Sequence, residues 1–201
     1  TEADFAVAIN GVYDALQLSG TYGKTYLALN EMRSDNTFNG GGCNGIAASQ
    51  CEIELFKEIT TANELSSAWS DSYKGIARCN IILDKLDASA VPDALKKRYK
   101  GEALYVRSLL YFNLAVIFGN VPLQLTDVAS PADVDLKQYP ATEIYKQIIK
   151  DLDYAETNLP LKYATAVLNT TRAHKNSAIA FKTRVLIRLY VCSNKVFIQQ
   201  I

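Results

Sequence analysis

The sequence predicts an all-α protein that is built from antiparallel helix pairs joined by long irregular loops. Apolar residues recur at spacings of three and four over long stretches, which is the pattern of amphipathic helices. Glycine, asparagine and proline gather between these stretches, where they favour turns. The predicted order is a helix over residues 2–19, a loop segment over 20–60, a helix pair over 61–118, a loop over 119–140 and a helix pair over 141–191.

The composition is that of an ordinary globular protein. The 201 residues are 49% hydrophobic, and Lys plus Arg and Asp plus Glu are balanced at 21 each. This length allows one domain or a compact pair of subdomains. A balanced charge without basic clusters argues against nucleic-acid binding, because phosphate recognition depends on clustered Lys and Arg. The longest apolar stretch, 103–118, contains Arg107 and is too short to span a bilayer, so it predicts a buried helix.

The first helix is predicted to begin with Thr1 and Asp4 as a cap, and no signal-peptide pattern precedes it. The segment 20–60 then loses helical periodicity and contains the run Gly40-Gly41-Gly42. Long irregular segments on a helical scaffold commonly carry binding groups. Its side chains mix flat aromatic faces with directional hydrogen-bonding groups, which suits a sugar ligand and equally suits a well-capped loop. The candidate ligand-binding residues are Tyr22, Tyr26, Asn30, Arg33, Asp35, Asn36 and Phe38.

The longer helices show clear start and stop signals. Thr61-Ala-Asn-Glu64 matches a capping box, and Pro92 begins the next helix, which is apolar almost all round after Gly101. Gly119 is predicted to end that helix. Two further helices are predicted to begin near residues 141 and 175. Amphipathic pairs of this kind bury their apolar faces by stacking on neighbours, so the arrangement is predicted to be tetratricopeptide-like.

Three residues invite a chemical interpretation, and a structural one is preferred for each. Glu102 and Arg107 are five residues apart on one helix, so they do not lie side by side and are assigned to hydrogen bonds with neighbouring helices. Trp69 could stack on a sugar, but it shares a helical stripe with Tyr73 and Ile76, which favours core packing.

The residues for catalysis or metal binding are scarce. His174 is the single histidine and is interpreted as a surface residue just before a helix. The helices offer no pair of carboxylates at the spacing that glycan hydrolysis needs. We therefore predict no catalytic residue, cofactor or metal ion. Cys43 and Cys51 could close a disulfide in an oxidising compartment; free thiols are the simpler alternative, and the sequence leaves both open.

Four segments of the chain carry a recognisable series of motifs, in order. They are Trp69-x3-Tyr73-x2-Ile76-x3-Asn80-x2-Leu83; Gly101-Glu-Ala-x3-Arg107-Ser-x2-Tyr111-Phe112 followed by Phe118-Gly-Asn-Val-Pro-Leu123; Tyr145-x3-Ile149-x-Asp151-Leu-x2-Ala155-x3-Leu159-Pro160; and Thr171-Arg172-x2-Lys175-x2-Ala178 followed by Lys182-x-Arg184-Val185-x3-Leu189-Tyr190. Together they resemble the N-terminal, tetratricopeptide-like portion of SusD/RagB nutrient-binding lipoproteins. His174 and Arg188 depart from that pattern, and the family's larger C-terminal half has no counterpart, so we expect a fragment or a truncated product.

The resemblance implies an exported lipoprotein on the surface of the outer membrane, anchored through a lipid-bearing cysteine upstream of Thr1. It implies non-catalytic binding of an oligosaccharide or polysaccharide, or of a peptide, for delivery to a SusC-like TonB-dependent transporter. The alternative is a soluble tetratricopeptide-like scaffold that binds a protein partner. A glycan-cleaving enzyme is disfavoured because no acid and base are paired.

Overall fold

The structure is a computed structural model that describes residues 1–34, 36–37, 40, 48–57, 59–60 and 62–194. The all-α prediction is confirmed, since almost all of its regular structure is helical. The chain forms two compact units, a larger one of Thr1–Val12 with Ile76–Ile201 and a smaller one of Tyr13–Gly75. The helices are α1 (Glu2–Asp14), α2 (Lys24–Glu31), α3 (Ala48–Glu54), α4 (Asn63–Leu86), α5 (Asp93–Phe118), α6 (Ala141–Asn158), α7 (Ala166–Thr171) and α8 (Lys175–Ser193).

The core of the larger unit is centred on α5. Between Gly101 and Ala115 this helix is buried at nearly every position, as its apolar sequence predicts. α6 packs against α5 on one side and against α8 on the other. Gly101 permits the approach of α5 to the end of α6, because a Cβ there would lie 3.1 Å from the Leu159 side chain.

The apolar stretch 103–118 is buried, as predicted, and forms the second part of a longer helix. α5 has 26 residues and, by length and composition alone, could span a membrane. Most of it is covered by protein, since 72% of its apolar window is buried. Its hydrophobicity is therefore that of a core helix.

Residues 119–140, predicted as a loop, contain two short strands. β1 (Val121–Pro122) and β2 (Gln138–Tyr139) pair antiparallel, with Val121 opposite Tyr139. Strands of two residues are too short to show alternation, which is why the sequence did not reveal them. Gly119 ends α5 with φ of 74°, and its N–H donates to the Ala115 carbonyl at 3.1 Å. The predicted stop signal is thus confirmed.

The loop prediction for residues 20–60 needs a larger correction. This segment contains α2 and α3, which have eight and seven residues and contact each other. Helices of about two turns contribute too few apolar positions for a periodic pattern. Ala28 and Leu29 of α2 and Cys51 and Ile53 of α3 form their buried sides.

The cap predicted at Thr1 is confirmed, and α8 begins with a cap at His174 that the sequence did not indicate. Thr1 caps α1, since its hydroxyl accepts the Asp4 N–H at 3.4 Å, although the helix ends at Asp14 and a 3-10 turn follows over Ala15–Gln17. His174 caps α8, because its Nδ1 accepts the Ser177 N–H and its own N–H donates to the Ser177 hydroxyl, both at 3.3 Å. α4 begins at Asn63, and Thr61 lies outside the described residues.

Candidate ligand-binding segment

The first predicted ligand-binding residues form an aromatic pair at the start of α2. The rings of Tyr22 and Tyr26 have centroids 5.1 Å apart and are inclined by 46°. Tyr22 is 41% exposed, whereas Tyr26 is half-buried. Each ring has an apolar face and a phenol hydroxyl, and the exposed face of Tyr22 can pack on a sugar ring.

A buried threonine fixes the turn that carries this pair. The Thr21 side chain is fully buried, and its hydroxyl lies 2.8 Å from the Ala15 carbonyl and 2.9 Å from the Leu18 carbonyl, to which it donates. A buried hydroxyl must find such partners, so the turn is held in one conformation. Tyr22 is thereby positioned by its own neighbour in the sequence.

The same turn is anchored to α4. The Gly20 N–H donates to Oδ2 of Asp71 at 3.0 Å. A Cβ on Gly20 would lie 2.1 Å from the Ser67 carbonyl oxygen, so only glycine permits this approach. The turn that carries the aromatic pair is therefore held against the first half of α4, which lies in the smaller unit.

Two of the polar candidates make local hydrogen bonds within the segment. The Asn30 side-chain amide donates to the Tyr26 carbonyl at 2.7 Å, and the Asn36 N–H donates to the Ser34 hydroxyl at 3.3 Å. Arg33 is half-buried, and Asn36 is exposed. Asp35 and Phe38 lie outside the described residues. Among the candidates in the described part of the segment, Tyr22 and Asn36 are therefore the exposed residues.

Phe56 is a candidate that the sequence did not reveal. It is 68% exposed and has φ of 54°, in the left-handed region that bulky residues avoid. Its N–H donates to the Ile53 carbonyl at 3.2 Å and the Lys57 N–H donates to the Glu52 carbonyl at 2.7 Å, which together form a Schellman motif at the end of α3. Glycine is the usual residue at this position. A strained, exposed phenylalanine there is a functional hint, and a predicted helix end over 48–54 would have drawn attention to it.

The structure distinguishes a disulfide from a free thiol at Cys51. Cys51 is disulfide-bonded, so the simpler interpretation of free thiols was wrong for this residue. Cys43 lies outside the described residues. Cys79 and Cys192 are free thiols, and burial raises the pKa of Cys79 to about 12. A disulfide in the smaller unit fits an oxidising compartment.

Trp69 contacts Tyr73 along α4, as their common stripe predicts. Their ring centroids are 5.0 Å apart with an inclination of 46°, and both side chains are half-buried. Burial also raises the pKa of Tyr73. These contacts support the packing interpretation of Trp69 over an exposed stacking platform.

Arg107 has a structural role, as predicted, in a buried polar network of the larger unit. Its Nε and Nη2 donate to the two Asp151 carboxylate oxygens at 2.8 and 2.9 Å, in a bidentate pair whose side chains are 6% and 5% exposed. Its Nη1 donates to Asn80 Oδ1 at 2.9 Å and to the Leu125 carbonyl at 3.1 Å. Burial opposes ionisation, but the Asp151 carboxylate outweighs it, so the Arg107 pKa lies above its usual value.

The network extends to the segment that follows β1. The Asn80 side-chain amide donates to the Gln124 carbonyl at 3.1 Å and to the Thr126 carbonyl at 2.9 Å. The Tyr111 hydroxyl donates to the same Gln124 carbonyl at 2.6 Å. Side chains from α4 and α5 therefore fix this segment to the helical core, and Asp151 of α6 orients Arg107.

Glu102 likewise binds neighbouring residues and not Arg107. Its carboxylate lies 3.3 Å from Arg98 Nε and 3.5 Å from Arg172 Nη1, and the residue is 1% exposed. The structural interpretation of Glu102 is confirmed. Within the described ranges of the chain, no group of three or more His, Cys, Asp and Glu residues could hold a metal ion.

Comparison with known proteins identifies the fold and the family. The chain is 26% identical over 188 residues to SusD-like protein P2 of Formosa agariphila, in an alignment that covers 92% of this chain and 36% of that protein. A solved laminarin-binding SusD-like protein superposes with a TM-score of 0.80 at 29% identity, covering 92% of this chain and 40% of the other. Surface glycan-binding protein A from Bacteroides fluxus gives 0.78 at 27% identity, covering 92% and 40%.

The chain thus spans little more than a third of the length of the curated relative. Residues 4–187 match the model of a family described as SusD-like, starch-binding and associating with the outer membrane. The four motif segments lie within that match, except for the last few residues of the final one. The chain belongs to the SusD-like family.

Proposed function

We propose that this chain forms part of a non-catalytic surface protein that binds an oligosaccharide or polysaccharide and delivers it to a TonB-dependent outer-membrane transporter of the SusC kind. Relatives that share its fold are described as binding laminarin and surface glycans. The family description joins starch binding with outer-membrane association. These likenesses make a glycan the ligand class to test first.

The observation that carries the proposal is the aromatic surface of the smaller unit. Tyr22 is exposed beside the ring of Tyr26, on a turn that Thr21 and Gly20 fix. Phe56 is exposed at a position that glycine would occupy without strain. Rigid aromatic faces bind the apolar faces of sugars at little entropic cost, because the rings are already ordered.

Export to the cell surface is the second part of the proposal. The disulfide at Cys51 supports folding in an oxidising compartment, as expected for a protein that leaves the cytoplasm. The coding sequence upstream of Thr1 provides a direct test. A signal peptide that ends in a lipidation cysteine is expected, and a cytoplasmic start codon near Thr1 would contradict export and favour the protein-binding scaffold.

Glycan binding is tested by affinity electrophoresis of the complete gene product in gels that contain laminarin or starch. We expect retardation by at least one of these polysaccharides. The double variant Tyr22→Ala/Phe56→Ala should bind up to about a hundredfold more weakly, since each of the two aromatic contacts contributes up to about 1.5 kcal/mol. Tyr190→Ala is the matched control, because Tyr190 is 70% exposed on α8, in the other unit.

Two results would contradict this assignment. Equal retardation of the double variant and the wild type would remove Tyr22 and Phe56 from the site. Release of reducing ends during incubation with the polysaccharide would overturn the non-catalytic role. Delivery is tested separately by co-purification of the complete gene product with SusC-like transporters of its source organism, and the absence of a complex in detergent would refute that step.

A further inference from the structure

The larger unit contains a pocket of about 210 Å³ between residues of α1, α5 and α7. Its polar lining comes from Asn10, Arg98, Glu102, Tyr163 and Arg172, and Tyr99 adds a second aromatic ring. Pockets for drug-sized ligands measure about 300–1,000 Å³, so this one suits a smaller molecule, of the size of one sugar ring.

The charge of the lining is positive. Glu102 is the one anion among the lining side chains, and it lies between the guanidinium groups of Arg98 and Arg172 at 3.3 and 3.5 Å. Two cations against one carboxylate leave a net charge of +1 in the pocket. A charge in a partly enclosed site attracts an anion more strongly than it would in open water.

Arg98 is the lining cation with capacity for a ligand. Its Nε is close to the Glu102 carboxylate but without hydrogen-bond geometry, and among the described residues this buried atom has no hydrogen-bond partner. A ligand acceptor in the pocket would supply hydrogen bonds that this guanidinium does not make with the described residues. By contrast, Arg172 also donates to Asn10, so its position is fixed by protein groups on both sides.

Two tyrosine rings hold Arg98 in place. Its guanidinium carbon lies 4.6 Å from the Tyr99 ring centroid and 6.0 Å from that of Tyr163. The Tyr163 hydroxyl in turn donates to the Ala173 carbonyl at 2.7 Å. A guanidinium ordered in this way is preorganised, so little side-chain entropy is lost when it binds an anion.

We propose that this pocket binds the carboxylate of a single acidic sugar unit, a uronate. The planar guanidinium of Arg98 matches a carboxylate, and the tyrosine rings offer faces on which a sugar ring can pack. The pocket lies in the larger unit and is a different site from Tyr22 and Phe56 in the smaller one. The inference rests on the proposed glycan function only for the sugar part of the ligand.

The test is isothermal titration of the complete gene product with D-glucuronate, D-glucose and acetate as separate probes. Glucuronate should bind more tightly than either of the others, and its affinity should fall with added NaCl. Arg98→Gln should weaken glucuronate binding about tenfold or more, which corresponds to the loss of one charge-assisted hydrogen bond. Arg98→Lys keeps the positive charge but loses the planar guanidinium that can bind a carboxylate through two hydrogen bonds, so it should give an intermediate affinity.

Lys97→Gln is the matched control, since it removes the same charge from an exposed neighbouring position on α5. The proposal predicts unchanged glucuronate affinity in this variant. The unfolding midpoint of each variant shows whether the fold is intact. Glucuronate affinity should decrease in the order wild type, Arg98→Lys, Arg98→Gln, and general unfolding would not produce this order.

Several outcomes would overturn the proposal. They are an absence of glucuronate binding to the wild type, equal affinity for glucose, equal affinity for acetate, and an equal effect of Lys97→Gln. Retardation by laminarin or starch is measured in the same variants. If glucuronate does not bind but laminarin or starch still retards the protein, the uronate proposal fails and the proposed function stands. If neither polysaccharide retards the wild type but glucuronate binds, the proposed function fails and the uronate site stands.

Discussion

The buried pair Arg107–Asp151 gives the sharpest stability prediction. Asp151→Ala would leave the guanidinium in a site where its side chain is 6% exposed, with only its Nη1 still donating to the Asn80 and Leu125 oxygens. Removing one partner of a buried ion pair costs about 3–5 kcal/mol, because the other charge stays buried without compensation. We expect a loss of this size in the free energy of unfolding, against a total of about 5–15 kcal/mol for a typical domain.

The companion variants complete a double-mutant cycle. Arg107→Met should cost a similar amount because it leaves the Asp151 carboxylate buried, whereas the double variant should cost much less than the sum of the two. Urea unfolding followed by circular dichroism measures all three. Lys146 and Glu143 form an exposed pair on α6 at 2.7 Å, and the same cycle there should give a coupling of about 0–1 kcal/mol. Additive losses at Arg107 and Asp151, within about 0.5 kcal/mol, would refute the reasoning.

Three further predictions concern single positions. Phe56→Gly should be about 1 kcal/mol more stable than Phe56→Ala in urea unfolding, because only glycine adopts the left-handed conformation without strain; equal stability would contradict the assignment of strain. Gly20→Ala should destabilise the fold by about 1–3 kcal/mol, because its Cβ would meet the Ser67 carbonyl. The control is Gly11→Ala in α1, whose Cβ meets nothing within 4 Å and which should stabilise the fold by about 0.5–1 kcal/mol. Similar changes in melting temperature for the two variants would disprove the close approach at Gly20. Burial raises the Cys79 pKa to about 12, so above about pH 9 the unfolded chain releases a proton that the folded chain retains. The free energy of unfolding therefore falls as the pH rises toward about 12. In Cys79→Ala the melting temperature should fall less steeply with pH than in the wild type, and equal pH dependence of the two would contradict the prediction.

The long helices were predictable because their signals are local and repeated. α4, α5, α6 and α8 each have 18 or more residues, so their apolar stripes and end signals stand out above the background. α2, α3 and the two strands were missed because each offers too few residues for a period to be recognised. Length therefore decided which elements the sequence revealed.

The partners of buried charges could not be predicted from the sequence. Arg107 was expected to bind neighbouring helices, but its partner Asp151 is 44 residues away, and only the packing of α5 on α6 brings them together. The same holds for Glu102 and Arg172, which are 70 residues apart. Side-chain chemistry indicated that these charges must be paired, and the fold determined with which residues.

The candidate ligand-binding segment was predicted only in part. Tyr22 and Tyr26 were identified from residue type and from their position in a glycine-rich region. Phe56 was missed because its exposure and positive φ depend on the end of α3, which the sequence did not reveal. Asn30 was identified as a ligand group, but its amide donates to the Tyr26 carbonyl of its own helix.

The central claim is that ordered aromatic side chains on a helical scaffold hold a glycan without cleaving it. Its most direct test is one titration of the complete gene product with a laminarin oligosaccharide, followed by a reducing-end assay of the same sample. Saturable binding that the Tyr22→Ala/Phe56→Ala variant weakens, together with an intact oligosaccharide at the end, is the predicted result. Equal affinity of the wild type and the Tyr22→Ala/Phe56→Ala variant, or an oligosaccharide shortened by incubation, would contradict the account.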